Sequence, residues 1–284
     1  MAAKIINKKF NGKIKGNIKF LFQPAEELAG GAKQMIMDPK YPALENPHVD
    51  QCYGLHISPR QEVGIIELNP GIFSAHGYQF TVKVEGVGSH GAAPHVAKDP
   101  IFIAMQLLDN LYSIPARNIN PCNKIVLTVG SIHAGTAGNV IPNECEFSGT
   151  FRSIEESDKE IVLKRIDDIV KGFGLAFGVE IELKVEGYPG IYNHKEETKK
   201  LKEVCGEIVG LENVVDLKSG LYGEDFSYFL QKRPGAFFKL GAAPVNSIKE
   251  NRIISNHNPK FTFNEDCLPI GVSVWIKLVE KLLI

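Results

Sequence analysis

Six consecutive segments in the middle of the chain constrain the fold more than any other feature of the sequence. Their apolar residues recur with the period of a strand or of a helix. In chain order they are strand YQFTVKVEG, a helix over residues 96–111, strand KIVLTVGSIHAG, strand ECEFSGTFRS, helix SDKEIVLKRIDDIVKGFGLAFG and strand VEIELKVEG. Strand, helix, strand, strand, helix, strand is the order of a ferredoxin-like domain. The sequence therefore predicts a small α+β domain over residues 76–187.

The segments on either side of this domain predict an interrupted α/β domain. Residues 1–75 contain an amphipathic helix at residues 2–13, a strand NIKFLFQ, a short helix LAGGAKQMIMD and strands VDQCYGLHI and EVGIIELNPG. Residues 188–284 contain a helix KEETKKLKEVCGEIVG, a strand GAFFKLGA and a C-terminal helix. The first region is too small to form a core alone. We therefore expect residues 1–75 and 188–284 to share one sheet, with residues 76–187 inserted between them.

The charge balance argues against a nucleic-acid partner. Lys and Arg number 32 and Asp and Glu number 33, which gives a formal net charge of -1. Proteins that bind nucleic acid through its phosphates carry a basic surface instead. The expected partner is a small molecule or a second copy of the chain.

The cysteines and the N-terminus predict a soluble, cytoplasmic protein. Five cysteines are scattered without a Cys-Xaa-Xaa-Cys pair, which argues against a disulfide framework and indicates a reducing compartment. The basic start MAAKIINKKFNGKIKG is not followed by an apolar segment of signal-peptide length, and no later run is long enough to span a bilayer. We expect no membrane association.

The stretch GVGSHG after the first strand of the middle domain has two interpretations. Its glycines match the spacing of a dinucleotide-binding loop. That fingerprint also requires a helix opening at the third glycine and an acidic residue about 20 residues further on, whereas Pro94 and His95 interrupt here. The sequence favours a glycine-rich loop that presents His90.

An adjacent pair of carboxylates, Glu26 and Glu27, follows an apolar run closed by Pro24. A metal hydrolase needs one carboxylate to hold the ion and a second to accept a proton from water, and adjacent residues can supply one each. Two solvated glutamates at the start of a helix, where the helix dipole favours negative charge, are the alternative. Spacing alone leaves both interpretations open.

Two histidines are candidate metal ligands. His56 lies on or just after an apolar strand and His257 lies in the loop SNHNPKF. A single histidine is more often structural, but two of them beside a glutamate pair suit a zinc-like ion, which accepts imidazole and carboxylate ligands. Cys52 precedes His56 by four residues, a span of about 13 Å in a strand, so we assign Cys52 to the core.

Six motifs in order along the chain resemble one enzyme family. FQPAEE, GLH, GSHGAAPH, GTAGNVIP, GEDFS and NHNPKF closely resemble the amidohydrolase branch of metallopeptidase family twenty. This branch includes hippurate hydrolase, N-acyl-amino-acid amidohydrolases and the plant auxin-conjugate hydrolases. The resemblance implies an α/β zinc-peptidase-like catalytic domain, N-terminally truncated, with an inserted ferredoxin-like dimerisation domain. It also implies a homodimer formed through the insert.

The resemblance also implies roles for individual residues. Glu26 matches the general base, and the metal ligands are matched by Glu27, His56 and His257. His90 matches a histidine that reaches the neighbouring subunit's site and stabilises the oxyanion, and Asn139 and Arg152 match positions that hold the substrate carboxylate or the intermediate. The implied reaction is metal-dependent hydrolysis of the amide bond of an N-acyl amino acid such as hippurate. Zinc is the expected ion, with manganese, cobalt or nickel as alternatives.

The sequence departs from this family in one respect. Family members carry, upstream of the glutamate pair, a Cys-Gly-His-Asp motif whose Cys and His bind metal, and residues 1–284 contain no such motif. We therefore expect a fragment that lacks about the first quarter of a family member and has little turnover as it stands. The alternative function is a non-catalytic relative that dimerises or binds an amino-acid ligand.

Overall fold

A computed structural model describes residues 1–28, 30–217 and 220–284. The chain forms two compact units. The first unit comprises residues 1–73, 191–220 and 224–284, and the second comprises residues 74–190 and 221–223. The second unit is thus continuous except for three residues that come from the later part of the chain.

The described part of the chain contains seven α-helices and twelve strands. The helices are α1 Ala2–Phe10, α2 Gly31–Met37, α3 Pro100–Asn118, α4 Glu156–Phe177, α5 Lys195–Val209, α6 Ser227–Lys232 and α7 Cys267–Leu283. The strands are β1 Cys52–Ser58, β2 Ile66–Glu67, β3 Gly71–Ile72, β4 His76–Glu85, β5 Ser89–His90, β6 Ile125–Ala134, β7 Val140–Ile141, β8 Glu144–Ser153, β9 Glu180–Tyr188, β10 Tyr192–Asn193, β11 Val214–Val215 and β12 Gly235–Gly241.

The first unit is built on a four-stranded sheet in the order β1-β12-β2-β11. Strands β1 and β12 are parallel over their whole length, so β1 is held along one edge by seven residues of β12. Apolar side chains of this sheet pack on helices α5 and α7, with Phe238, Leu201 and Val274 fully buried. Strands from before residue 73 and from after residue 190 therefore share one sheet and one core.

The second unit has the ferredoxin-like architecture that the sequence predicts. Its four long strands form an antiparallel sheet in the order β6-β8-β4-β9, and α3 and α4 follow the first and third of these strands in the chain. Alternate residues of β4, Phe80, Val82 and Val84, are buried in the core that both helices complete. The predicted order of elements is confirmed. The alternating burial of β4 also matches the period of two in the sequence.

Helix α3 begins four residues later than the sequence predicts. Asp99 is its N-cap, and its carboxylate accepts hydrogen bonds from the backbone amides of Ile101 (2.9 Å) and Phe102 (3.3 Å). Pro100 occupies the first helical position, where its missing N–H has no cost. These two residues define the start at residue 100 instead of 96.

The predicted strand NIKFLFQ is wrong. Residues 17–25 form neither a helix nor a strand. Phe22 is 87% exposed and Phe20 is 44% exposed, and no described strand pairs with this segment. Alternation of apolar residues yields a strand only where a neighbouring strand accepts its backbone hydrogen bonds.

Other predicted elements of the first unit are present but shorter. EVGIIELNPG contains β2 and the first residue of β3, two strands of two residues each, and the helix predicted in LAGGAKQMIMD is α2. Ala29, at the start of that prediction, lies outside the described residues. The described helices include none that is both long enough and apolar enough to cross a membrane.

Candidate active site

The glutamate pair lies in a short 3₁₀ helix, Glu26–Leu28. Ala25, immediately before it, has a φ of 54°, a left-handed conformation that costs a residue with a side chain roughly 1 kcal/mol. The turn sends the two carboxylates into different surroundings: Glu26 is partly buried, whereas the Glu27 side chain is 68% exposed. Adjacent residues therefore offer one sheltered and one accessible carboxylate.

Glu27 lies next to His257. The distance between Glu27 Oε2 and His257 Nδ1 is 3.5 Å, although 229 residues separate the two in the chain, by subtraction of their numbers (257 − 27 − 1). His257 has a φ of 70° in a loop without regular structure. Arg60 donates a hydrogen bond from Nη2 to Ser255 Oγ (3.2 Å), which ties this loop to the end of β1. The structure thus brings together two of the three predicted metal ligands.

The hydrogen bond of His56 leaves its Nε2 available to a metal ion. His56 lies in β1, where its side chain is partly buried. Its Nδ1–H donates to the carbonyl oxygen of Ile57 at 2.6 Å, because a carbonyl can only accept. The neutral ring therefore has its lone pair on Nε2, as in metal sites where a hydrogen bond from the other ring nitrogen fixes the tautomer.

The three predicted ligands do not form a compact group. Among the described residues, three side chains that could bind a metal place their donor atoms within 4.8 Å of one another, and these are Glu26, Glu224 and Asp225. His56 is not within that distance of both Glu27 and His257. Glu224 and Asp225 are not among the site residues predicted from the sequence. The signal was present in the motif GEDFS, in which two acidic residues precede Phe226, the N-cap of α6.

The electrostatics of this acidic group favour protonation of its members. Burial raises the pKa of Glu26 above its ordinary value, and the charges of Glu27 and Asp225 raise it further. Burial, followed by the charge of Glu26, raises the pKa of Glu224 to about 8. Burial has the opposite effect on Lys239, whose pKa it lowers to about 8. Raised carboxylate pKa values in a partly sheltered group are typical of a catalytic site.

The chemistry of these side chains fits a divalent metal ion. Two imidazoles and one carboxylate are ligands that zinc, manganese and cobalt accept. Glu27 and His257 have donor atoms 3.5 Å apart, a separation that two ligands of one ion can have, since each metal–ligand bond is about 2 Å long. His56 offers an imidazole with a free Nε2 lone pair, but its donor atoms are not within 4.8 Å of those of both Glu27 and His257.

In the second unit, His90 and Asn139 are neighbours. His90 in β5 pairs with Val140 in β7, and the Gly91 amide donates to the carbonyl oxygen of Asn139 at 2.8 Å. The Ala92 amide donates to His90 Nδ1 (3.0 Å), so the neutral ring carries its proton on Nε2. The exposed His90 side chain therefore presents an N–H donor.

Arg152, also in the second unit, is fixed by Tyr188. Its Nη1 donates to the Tyr188 hydroxyl at 2.9 Å, and its guanidinium lies 5.8 Å from the centre of that ring. A Cβ atom at Gly223 would lie 2.0 Å from the same hydroxyl, so this position requires glycine. The guanidinium keeps further N–H donors that can bind a carboxylate.

Comparison with known proteins places the chain in a family. The model of Peptidase family M20/M25/M40 matches residues 1–281. Thermostable carboxypeptidase 1 of Saccharolobus solfataricus is 37% identical over 94% of this chain and 66% of its own length. N-acetyldiaminopimelate deacetylase of Bacillus pumilus is 36% identical over 94% of this chain and 68% of its own length.

A solved structure shows the same fold. The Bacillus subtilis YxeP protein, a dinuclear metal binding peptidase of family M20, superposes with a TM-score of 0.74 and 25% identity over 98% of this chain and 68% of that one. The predicted fold class is thereby confirmed. The chain spans about two thirds of the length of the curated relatives that it matches, for example 64% of Bacillus subtilis YhaA, to which it is 38% identical over 92% of this chain.

Proposed function

We propose, because the chain belongs to Peptidase family M20/M25/M40, that it carries the general base and part of the metal site of an amidohydrolase. The proposed reaction is hydrolysis of the amide bond of an N-acyl amino acid. The observation that carries this proposal is the arrangement of the glutamate pair. Glu26 is sheltered and its pKa is raised, while the adjacent Glu27 contacts His257.

Glu27, His56 and His257 are the residues that would hold the ion. A bound divalent metal supplies Lewis-acid chemistry, which polarises the scissile carbonyl group and acidifies water. Zinc is the first candidate, with manganese, cobalt or nickel as alternatives. The dinuclear metal site named for the YxeP protein supports a metal-dependent reaction.

Glu26 acts as the proton carrier. A carboxylate is a weak base at its ordinary pKa, and catalysis near neutral pH improves as the pKa of the base approaches the operating pH. Burial and the charges of Glu27 and Asp225 raise the pKa of Glu26 in that direction. Glu26 takes a proton from the attacking water and delivers it to the nitrogen of the leaving amino acid.

His90, Asn139 and Arg152 act on the substrate. The Nε2–H of His90 is a donor suited to the oxyanion that forms when water adds to the amide carbonyl. The guanidinium of Arg152, held by Tyr188, is suited to the carboxylate of the substrate. Asn139, which lies beside His90, offers an amide donor to the same intermediate.

The names of the relatives support an N-acyl amino acid as substrate. One of them is named for removing the acetyl group of N-acetyldiaminopimelate, and another is named a carboxypeptidase. In both names the amide bond that is cut joins an acyl group to an amino acid. Short N-acetyl amino acids and hippurate are therefore the substrates to try first.

The homodimer that we propose forms through strand β6. The sheet of the second unit has two edges, β6 and β9. Strand β9 alternates charged residues, Glu180, Glu182, Lys184 and Glu186, and charges on an edge strand oppose the addition of another strand. Strand β6 carries no charged Lys, Arg, Asp or Glu, and its Val126 and Ile132 are 38% and 54% exposed. An uncharged apolar edge suits pairing across a two-fold axis.

The test of the proposed reaction supplies the motif that residues 1–284 do not contain. Fusing a relative's segment with the Cys-Gly-His-Asp motif ahead of residue 1 should give zinc-dependent hydrolysis of N-acetyl amino acids or hippurate. Glu26→Gln in that fusion should lower kcat by at least 100-fold, since general base catalysis contributes about that much, and should leave the zinc content unchanged. A Glu26→Gln fusion with full activity would refute the role of Glu26.

A further inference from the structure

Asp225 is a fully buried carboxylate beside the glutamate pair. Its Oδ1 accepts a hydrogen bond from Gln23 Nε2, and its Oδ2 accepts one from the backbone amide of Ala32 at 3.0 Å. The Gly31 amide is a third donor to the same carboxylate. Both carboxylate oxygens are therefore engaged by N–H groups of the protein.

The three donors come from the two ends of one segment. Gln23 precedes Glu26 and Glu27, whereas Gly31 and Ala32 follow them at the start of α2. The carboxylate of Asp225 thus links residues 23–28, which include the glutamate pair, to residues 30–32. This link brings the backbone of the two ends into contact, since a Cβ atom at Gly31 would lie 1.7 Å from the carbonyl oxygen of Pro24.

Local preferences oppose this loop. Ala25 adopts a φ of 54°, which residues with a Cβ atom rarely do. Gly30, the residue before α2, makes no side-chain capping bond, so the first amides of the helix depend on Asp225 for an acceptor. A loop with a strained residue and uncapped amides keeps one conformation only when surrounding groups fix it.

We infer that Asp225 is the positioning residue of the glutamate pair: its carboxylate accepts from Gln23 on one side of the pair and from Gly31 and Ala32 on the other, and so fixes where Glu26 and Glu27 lie. This inference rests on the proposed function of the pair. Asp225 and Glu26 have carboxylate oxygens within 4.8 Å of each other. A shift of the loop relative to Asp225 therefore changes the position of the Glu26 carboxylate. The same bonds make the contact between Glu27 and His257 dependent on Asp225.

The hydrogen-bond pattern predicts how individual substitutions behave. Asp225→Ala removes the acceptor for all three donors. Asp225→Asn keeps one oxygen for the amides of α2, and its new amide can donate to Gln23 if the Gln23 amide turns over to present its oxygen. Gln23→Glu alone sets two carboxylates against each other, whereas Gln23→Glu with Asp225→Asn restores a donor–acceptor pair.

Hydrogen exchange of residues 1–284 is the first measurement. We expect amides of residues 23–37 to exchange at least 10-fold faster in Asp225→Ala and in Gln23→Glu, and within 3-fold of the unaltered protein in Asp225→Asn and in the double variant. Peptides of β8 should be unchanged in all four. Exchange in the double variant as fast as in Gln23→Glu would refute the role of Asp225 in holding the two ends together. If Asp225→Ala does not fold, the comparison of Gln23→Glu with the double variant tests the role of Asp225 instead.

Cobalt binding to the metal-free protein is the second measurement. The visible spectrum of cobalt reports ligands such as Glu27, and we expect cobalt affinity to fall at least 10-fold in Gln23→Glu and to recover in the double variant. Absence of cobalt binding by the unaltered protein would refute the proposed metal site. The role of Asp225 would then be tested by hydrogen exchange alone. Cobalt binding that is identical in all variants, with exchange unchanged, would overturn the role of Asp225.

Discussion

A single methyl group added at Gly31 tests whether the close approach of Gly31 to Pro24 fixes the position of Glu26 and Glu27. A Cβ atom there would lie 1.7 Å from the carbonyl oxygen of Pro24 and 2.9 Å from its carbonyl carbon. Ordinary contacts of a Cβ atom begin at 3.4 Å, so Gly31→Ala must separate the two backbones by roughly 1.7 Å. The obstacle is backbone, so no side chain can swing aside.

This separation should affect both stability and the site. Overpacking of this kind costs about 1–3 kcal/mol. Because Glu26 and Glu27 lie between Pro24 and Gly31, the shift carries them with it, and misplacement of a catalytic group by about 1 Å can cost around 100-fold. We expect zinc affinity of the Gly31→Ala protein to fall by at least 10-fold.

Urea unfolding and calorimetric zinc titration measure the two effects. Trp275, the sole tryptophan, packs on Phe238 in the first unit, so its fluorescence follows the unit that contains the loop. Gly172→Ala is the control, because no atom beyond its chain neighbours and the backbone of its own helix α4 lies within 4 Å of its Cβ position, and alanine stabilises a helix interior by about 0.5–1 kcal/mol. Unchanged unfolding and zinc affinity in Gly31→Ala would refute the reasoning.

Two further predictions follow from burial and exposure. The protonated form of Glu224, whose pKa burial raises from 4.5 to about 8, stabilises the metal-free fold fully below pH 4.5, and this contribution is lost as the pH rises toward 8. Glu224→Gln should therefore remove roughly 4–5 kcal/mol of pH dependence between pH 4.5 and 8, measured by urea unfolding at both values. The double variant Val126→Lys, Ile132→Lys should convert a dimer into a monomer, as measured by light scattering. Leu175→Lys, at an 86% exposed site on α4, is the control and should leave the dimer intact. A protein that is monomeric without substitutions would contradict the β6 interface.

The ferredoxin-like unit could be predicted because its sequence pattern and its packing have the same period. Alternate residues of β4 such as Phe80 and Val82 are buried, and α3 and α4 cover one face of the sheet. The segment NIKFLFQ has a similar alternation yet forms no strand, because a strand also needs a partner. Apolar alternation shows that a segment is compatible with a strand, and the presence of a hydrogen-bonded neighbouring strand determines whether the strand forms.

The candidate site could be predicted only in its chemical composition. Motifs identified Glu26, Glu27, His56 and His257, but spacing along the chain contains no information on the 3.5 Å contact between Glu27 and His257. The role that we propose for Asp225 could not be foreseen either, because two of its donors are backbone amides. Every residue except proline has a backbone N–H, so the sequence does not show which amides bind Asp225.

The most direct measurement of the central claim is a calorimetric titration of zinc into metal-free residues 1–284. We expect zinc to bind, and we expect Glu27→Gln, His56→Ala and His257→Ala each to weaken the binding at least 10-fold, because each removes one ligand. His133→Ala, which removes an exposed histidine from β6, is the matched control and should leave the affinity unchanged. Equal affinity in all four variants, or no zinc binding at all, would contradict a metal site formed by Glu27, His56 and His257.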